Sequence, residues 1–296
     1  MKTTLTNPTS AAKVKRLMRL ASFASVATAF VLIVIKFISY LLTDSLALLS
    51  SLMDSCLDLG ASFLSLIAIH QSLVPADKNH RFGHGKAEAL GSLFQAFLIS
   101  ISGFYLILEM IEHLKNPQPL HNLGIGLSVM VISLIATCLL VAFQRYVISK
   151  TNSLSVHADN AHYIGDSAMN IGVMVSMFVS YHFKLEWVDA LFAFIVAVYL
   201  FGMAFKIVKL ATSVLMDQEL PPSDRHYIKS IATKNPSVRK ISDLRTRKSG
   251  NHIFIQFNIK VHPNISLEKT HQICDQIEHE IKSKIKDSET FIHPEP

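Results

Sequence analysis

Residues 45–74 read SLALLSSLMDSCLDLGASFLSLIAIHQSLV, an apolar run interrupted by two aspartates, Asp54 and Asp58. About 20 mostly apolar residues suffice for a helix to cross the hydrocarbon core of a bilayer, so the run predicts a transmembrane span. Ionisable groups inside a span are costly and mark ion or substrate paths. The i, i+4 spacing puts both carboxylates on one helix face, about 6 Å apart along the axis. Capping does not account for residues this deep. The only basic residue in another apolar run is Lys36, near the end of its run and able to snorkel to the interface.

A second run, AHYIGDSAMNIGVMVSMFVSYHF at 161–183, repeats the spacing with His162 and Asp166. Two helices facing each other through these pairs present three carboxylates and one imidazole, a ligand set suited to a tetrahedral divalent metal such as zinc. The mixed shell favours zinc, iron(II), cadmium, cobalt or manganese over calcium and magnesium, which prefer oxygen alone. Asn170 extends the stripe by one turn, where it can support a ligand. Asp44 and Asp189 read as helix caps, and Asp159, in the approach to the fifth span, reads the same way. Cys56 points away from the Asp54–Asp58 face.

Four more apolar runs lie near 20–35, 89–108, 122–143 and 190–205, which makes six crossings and puts both termini on one side. The first run continues past the length of a signal-peptide core and has no clear cleavage site, so it is a retained helix. Half of the 296 residues are hydrophobic and 17% charged, against about a quarter charged in soluble proteins. With the N-terminus cytoplasmic, the inner segments hold twelve lysines and arginines, and the outer loops only Lys115 and Lys184. That bias places both termini in the cytoplasm. The net charge of +6 implies no nucleic acid, because the segment from 215 onward balances 13 basic against 11 acidic residues. Three scattered cysteines exclude a disulfide framework.

After Met216 the composition turns polar. The helix–strand–strand–helix–strand order predicts a small α+β domain, with a turn at Ser249–Asn251 and Ser266 as N-cap of the second helix. The expected fold is an α-helical membrane protein: six transmembrane helices in residues 1–212, and a cytoplasmic αββαβ domain in 213–296. The longest connections fall at 73–88 and 144–160, both cytoplasmic.

The residues also exclude some functions. Neither HExxH nor GxSxG occurs, so nothing points to an intramembrane protease or any other enzyme. Carboxylates and a histidine in a low-dielectric site hold protons when metal is absent, so metal and protons compete, and a site opening alternately to either side would exchange them. The alternative is a proton-coupled exporter of organic cations or drugs. It would use membrane carboxylates but has no need of a facing histidine, or of the loop trio Asp77, His80 and His84.

DSCLD at 54–58, HYIGD at 162–166, PADKNHRFGHGKAEAL at 75–90 and DLRTRKSG at 243–250 together resemble the cation diffusion facilitator family, over nearly the whole chain. The resemblance implies a homodimer in the bacterial inner membrane, surrounded by lipid, with a metallochaperone-like cytoplasmic domain. It also implies metal efflux by proton antiport, with no organic cofactor. By position it gives a transport site at Asp54, Asp58, His162 and Asp166, and a loop metal site at Asp77, His80 and His84. Lys86 and Asp217 match a pair that holds the dimer together. Asp243, His271 and His293 match ligands of the cytoplasmic domain, and Glu295 stands where an aspartate is usual. Ser242 and Asn258 stand where relatives carry histidine, so at most one well-held metal is expected there.

Overall fold

The computed structural model describes residues 11–43, 46–115, 124–183, 187–285 and 287–295. Six long helices come first: α1 (Ala11–Thr43), α2 (Leu46–Ser72), α3 (Ala87–Lys115), α4 (Gly124–Thr151), α5 (Leu154–Phe183) and α6 (Trp187–Leu215). Five of them are long and apolar enough to cross a membrane. The exception is α5, which carries His157, Asp159, Asn160, His162, Asp166 and Asn170. Phe30, Leu57, Phe97, Leu139 and Phe205 are exposed on these helices, as side chains facing lipid would be. Asp44 and Lys184 lie outside the described residues.

Polar α5 is seated among the others by small residues. Ala158, Ala161 and Gly165 follow one stripe, and the two alanines are fully buried with Ala96 and Ile99 of α3 and Val196, Ala197 and Leu200 of α6. A Cβ on Gly165 would lie 2.4 Å from Leu200 Cδ2. Such stripes let transmembrane helices approach closely.

The expected long connection at 144–160 is not a loop. α4 runs to Thr151, only Asn152 and Ser153 separate it from α5, and Asn152 turns the chain at φ 51°. Asparagine tolerates this left-handed conformation better than most residues. Ser153 Oγ then accepts the Val156 N–H at 3.3 Å, capping the new helix, and also donates to Glu88 at the start of α3.

The second part comprises α7 (Pro222–Ala232), β1 (Lys240–Ser249), β2 (His252–Lys260), α8 (Leu267–Lys284) and β3 (Ser288–Glu295). Its sheet has the order β1-β2-β3, with β1 antiparallel and β3 parallel to β2. Ile255, Phe257 and Ile259 of β2 are buried against Ile228 and Ile231 of α7 and Ile277 and Ile281 of α8. Ser266 caps α8 by accepting the Lys269 N–H. α7 starts instead on Pro222, whose missing N–H costs nothing in a first turn, and it has no side-chain cap.

The chain forms two compact units. Val14–Gln71 and Ala87–Ala211 make the helical one; Ser72–Lys86 joins Thr212–Pro296 in the other. The 72–86 segment is anchored within its unit by aromatic and ionic contacts. The Phe82 ring meets Phe254 edge-on at 5.5 Å, and the Arg247 guanidinium lies 4.6 Å from the Phe82 ring centre. Asp217 receives Lys86 at 3.0 Å and Arg247 at 3.4 Å, and Lys86 also donates to the Leu215 carbonyl at 3.2 Å.

Candidate metal centre

Three of the four intramembrane ligand candidates converge. His162 Nε2 lies 3.0 Å from Asp58 Oδ1 across the α2–α5 boundary and 3.6 Å from Asp166 Oδ2 one turn along its own helix. One ligand atom from each of the three fits within 4.8 Å of the other two. Asp166 Oδ2 is buried and has no hydrogen-bond partner. A buried carboxylate oxygen left without a donor is costly unless something else supplies positive charge, and a divalent cation would. Asp54 stands one turn from Asp58 on α2, exposed and outside the three-residue group.

Two polar residues are placed differently from their sequence reading. Lys36 does not snorkel outward: its Nζ donates to Ser55 Oγ at 2.7 Å and to the Ser51 carbonyl at 3.0 Å, both on α2. Asp159 is not a cap. It sits within α5, 1% exposed, and its carboxylate accepts from one residue on each of four other helices. Ser25 of α1 and Gln144 of α4 reach Oδ2, Gln144 at 2.7 Å. Gln95 of α3 and Ser62 of α2 reach Oδ1, at 3.0 and 3.4 Å. Tyr163 extends the network, its hydroxyl 2.8 Å from Ser62 Oγ. Asp159 therefore ties α5 to its neighbours one turn before His162. The lone amide Gln95 in its apolar run, and Gln144 one residue past the run at 122–143, were the available sequence signal.

In the second unit, Asp77, His80 and His84 form another three-ligand group. Asp77 Oδ1 lies 3.4 Å from His80 Nδ1 and Oδ2 lies 3.4 Å from His84 Nε2, so one carboxylate spans two imidazoles. Oδ1 also accepts the backbone N–H groups of Asn79 and His80, at 2.8 and 2.6 Å. The His80 N–H, followed by the other donors and the two histidines, holds the Asp77 carboxyl below its ordinary range. Gly83 supplies the φ of 77° that the turn requires. Gly85 lets the loop lie on the β1–β2 turn, where a Cβ would come within 2.5 Å of the Ser249 carbonyl. The loop offers one oxygen and two nitrogen ligands, a set suited to zinc and similar ions.

Comparison with known proteins settles the family. Residues 22–216 match the cation efflux transmembrane domain, and residues 220–296 the cytoplasmic domain of cation efflux proteins. This chain is a cation diffusion facilitator. It is 40% identical over 278 residues to the cation-efflux pump FieF of Shewanella oneidensis, covering 94% of each chain. To FieF of Klebsiella pneumoniae it is 40% identical over 283 residues, covering 95% of this chain and 93% of the relative. Among solved structures, the metal-bound C-terminal domain of the CzcD transporter from Thermotoga maritima is similar. It has 26% identity and a TM-score of 0.25, covering 26% of this chain and 94% of that domain. This cation diffusion facilitator is thus a multi-pass membrane protein and a metal efflux transporter.

The facilitator's cytoplasmic candidates do not assemble within one chain. Asp243, at a β-bulge with φ 49°, is exposed and bound to its own neighbour Arg245 at 2.9 Å. His271 is exposed on α8, 3.7 Å from Asp275. His293 is exposed on β3 opposite Asn258. Asn258 Nδ2 donates to Glu295 Oε1 at 2.7 Å, engaging that carboxylate. Among the described residues, none of these four belongs to a three-ligand group.

Proposed function

We propose that the chain exports divalent transition metals of the zinc, cadmium and iron(II) class from the cytoplasm in exchange for protons, by alternating access. The observation that carries this reading is the Asp58–His162–Asp166 group inside the helical unit. One imidazole with carboxylates selects transition metals over calcium and magnesium. Asp54, one turn from Asp58, completes a four-ligand shell once a cation draws it in.

Proton coupling follows from the same contact. A proton shared between His162 Nε2 and Asp58 must leave before Nε2 can ligate a metal, so binding releases protons and protonation expels metal. Asp77, His80 and His84 form a second metal site on the cytoplasmic side. The protein works as a homodimer in a bacterial inner membrane with both termini cytoplasmic, as the basic residues of its inner segments and its family membership support. Lys86 and Asp217 stabilise the dimer.

Proteoliposomes carrying a proton gradient provide the test. Zinc and cadmium uptake should move protons in the opposite direction, and both fluxes should vanish in Asp166→Ala. Metal flux without proton movement would refute the coupling, and undiminished flux in the variant would refute the site.

A further inference from the structure

Lys36 poses a physical problem. An ammonium group within a membrane helix is expensive, and the inexpensive solution is to extend outward to the headgroups. Lys36 instead turns toward α2, donating to Ser55 Oγ and the Ser51 carbonyl. Those residues sit three positions before Asp58 and Asp54 respectively, so they flank the face that carries the two aspartates. The partners of the Lys36 ammonium there are these two neutral oxygens, and Asp58, Asp54 and Asp166 lie within reach of its long-range field. It is no ligand itself, since an ammonium nitrogen has three protons and no free lone pair.

Charge balance suggests a role. Three carboxylates around a divalent cation leave one negative charge unbalanced, and an uncompensated charge in a low-dielectric interior is costly. One fixed ammonium cancels it. The same ammonium, held by residues that flank the ligand face, would repel a metal bound there. A transporter needs that repulsion, because a site that binds too tightly does not release its cargo.

We propose that Lys36 is the built-in counter-charge of the transport site, a positioning residue that loosens the site's hold on metal so that the ion can leave. The inference rests on the transport-site reading above. Its sign separates it from a structural role: damaged packing weakens binding, whereas removal of a repelling charge tightens it.

Zinc binding to the purified full-length protein, measured by calorimetry in a His80→Ala, His84→Ala background, tests the proposal. The binding component lost in Asp166→Ala defines the transport site; if no component is lost, the transport-site reading fails first. Lys36→Met and Lys36→Gln should each lower that component's Kd about tenfold, equivalent to about 1.4 kcal/mol. In proteoliposomes the same variants should lower KM and turnover together. Lys36→Arg, which keeps the charge, should retain the wild-type Kd. An unchanged or weaker Kd in whichever of the two neutral variants keeps the wild-type melting temperature overturns the proposal, as does equal tightening by the arginine.

Discussion

Gln144 of α4 donates from Nε2 to Asp159 Oδ2 at 2.7 Å, and the same carboxylate takes donors from three further helices. A buried carboxylate satisfied only by neutral donors depends on all of them, since hydrogen bonds to charged groups contribute about 1.5–3 kcal/mol each. Asp159→Ala leaves Gln95 without its acceptor and takes one acceptor each from Ser25 and Gln144, which keep the Ala21 carbonyl and Ser25 Oγ, and should cost about 3 kcal/mol. Ser62→Ala removes the longest of the four bonds and the 2.8 Å contact with the Tyr163 hydroxyl, which keeps the Ser25 carbonyl, and should cost less, about 1 kcal/mol. Detergent-solubilised melting curves rank the variants; a ranking with Ser62→Ala as costly as Asp159→Ala would show that Asp159 does not brace the helices.

The four-ligand and three-ligand forms of the transport site predict different outcomes at Asp54. His162→Ala and Asp58→Ala should reduce zinc flux to the background of empty liposomes, since each removes a member of the convergent group. Asp54→Ala should do the same if metal recruits the fourth carboxylate. Flux that persists in Asp54→Ala while it is lost in His162→Ala would leave a three-residue shell, with water in the fourth position.

Much of this was legible in the sequence because the bilayer restricts the alternatives. Apolar runs mark helices wherever backbone groups must be satisfied internally, and i, i+4 pairs of ligand residues point to a shared face whatever the packing. Asp159 was not legible. Near a presumed helix start, a cap and a buried hub look alike; only the two-residue turn at Asn152–Ser153 moves Asp159 inside α5. Lys36 was misplaced for a related reason: snorkelling is the default for an isolated lysine, and its acceptors Ser51 and Ser55 are unremarkable residues of another helix. The cytoplasmic candidates matched by resemblance form no three-ligand group among the described residues, where Asp243 and Glu295 contact Arg245 and Asn258 instead.

The loop carboxylate should titrate low. Asp77 is held below the ordinary value of 3.8, chiefly by the His80 backbone N–H. A depressed folded-state pKa contributes stability that is present above the unfolded value and lost as pH falls through the folded one. The turn should therefore remain intact across neutral and mildly acidic pH and loosen only below the ordinary carboxylate range. A carbon-detected NMR titration of the Asp77 carboxyl in nanodiscs checks this; a midpoint at or above 3.8 contradicts the observed turn.

Gly85 gives the sharpest test of how the loop site is held. An added methyl would lie 2.5 Å from the Ser249 carbonyl carbon and oxygen and 2.7 Å from the Gly250 nitrogen. These are backbone atoms of a tight β-turn, so relief requires the loop to lift away. Gly85→Ala should cost about 1–3 kcal/mol, the usual range for overpacking. It should also separate Phe82 from Phe254 and Arg247, and the freed loop should be cut faster by trypsin after Lys78 and Arg81, which are already exposed. Gly83→Ala meets no atom closer than 3.9 Å but keeps a φ of 77°, so it strains the turn by about 1–2 kcal/mol without lifting the loop. If loop-site zinc affinity falls in Gly85→Ala and holds in Gly83→Ala, seating on the β1–β2 turn organises the three ligands. If both fall equally, the local turn alone does so.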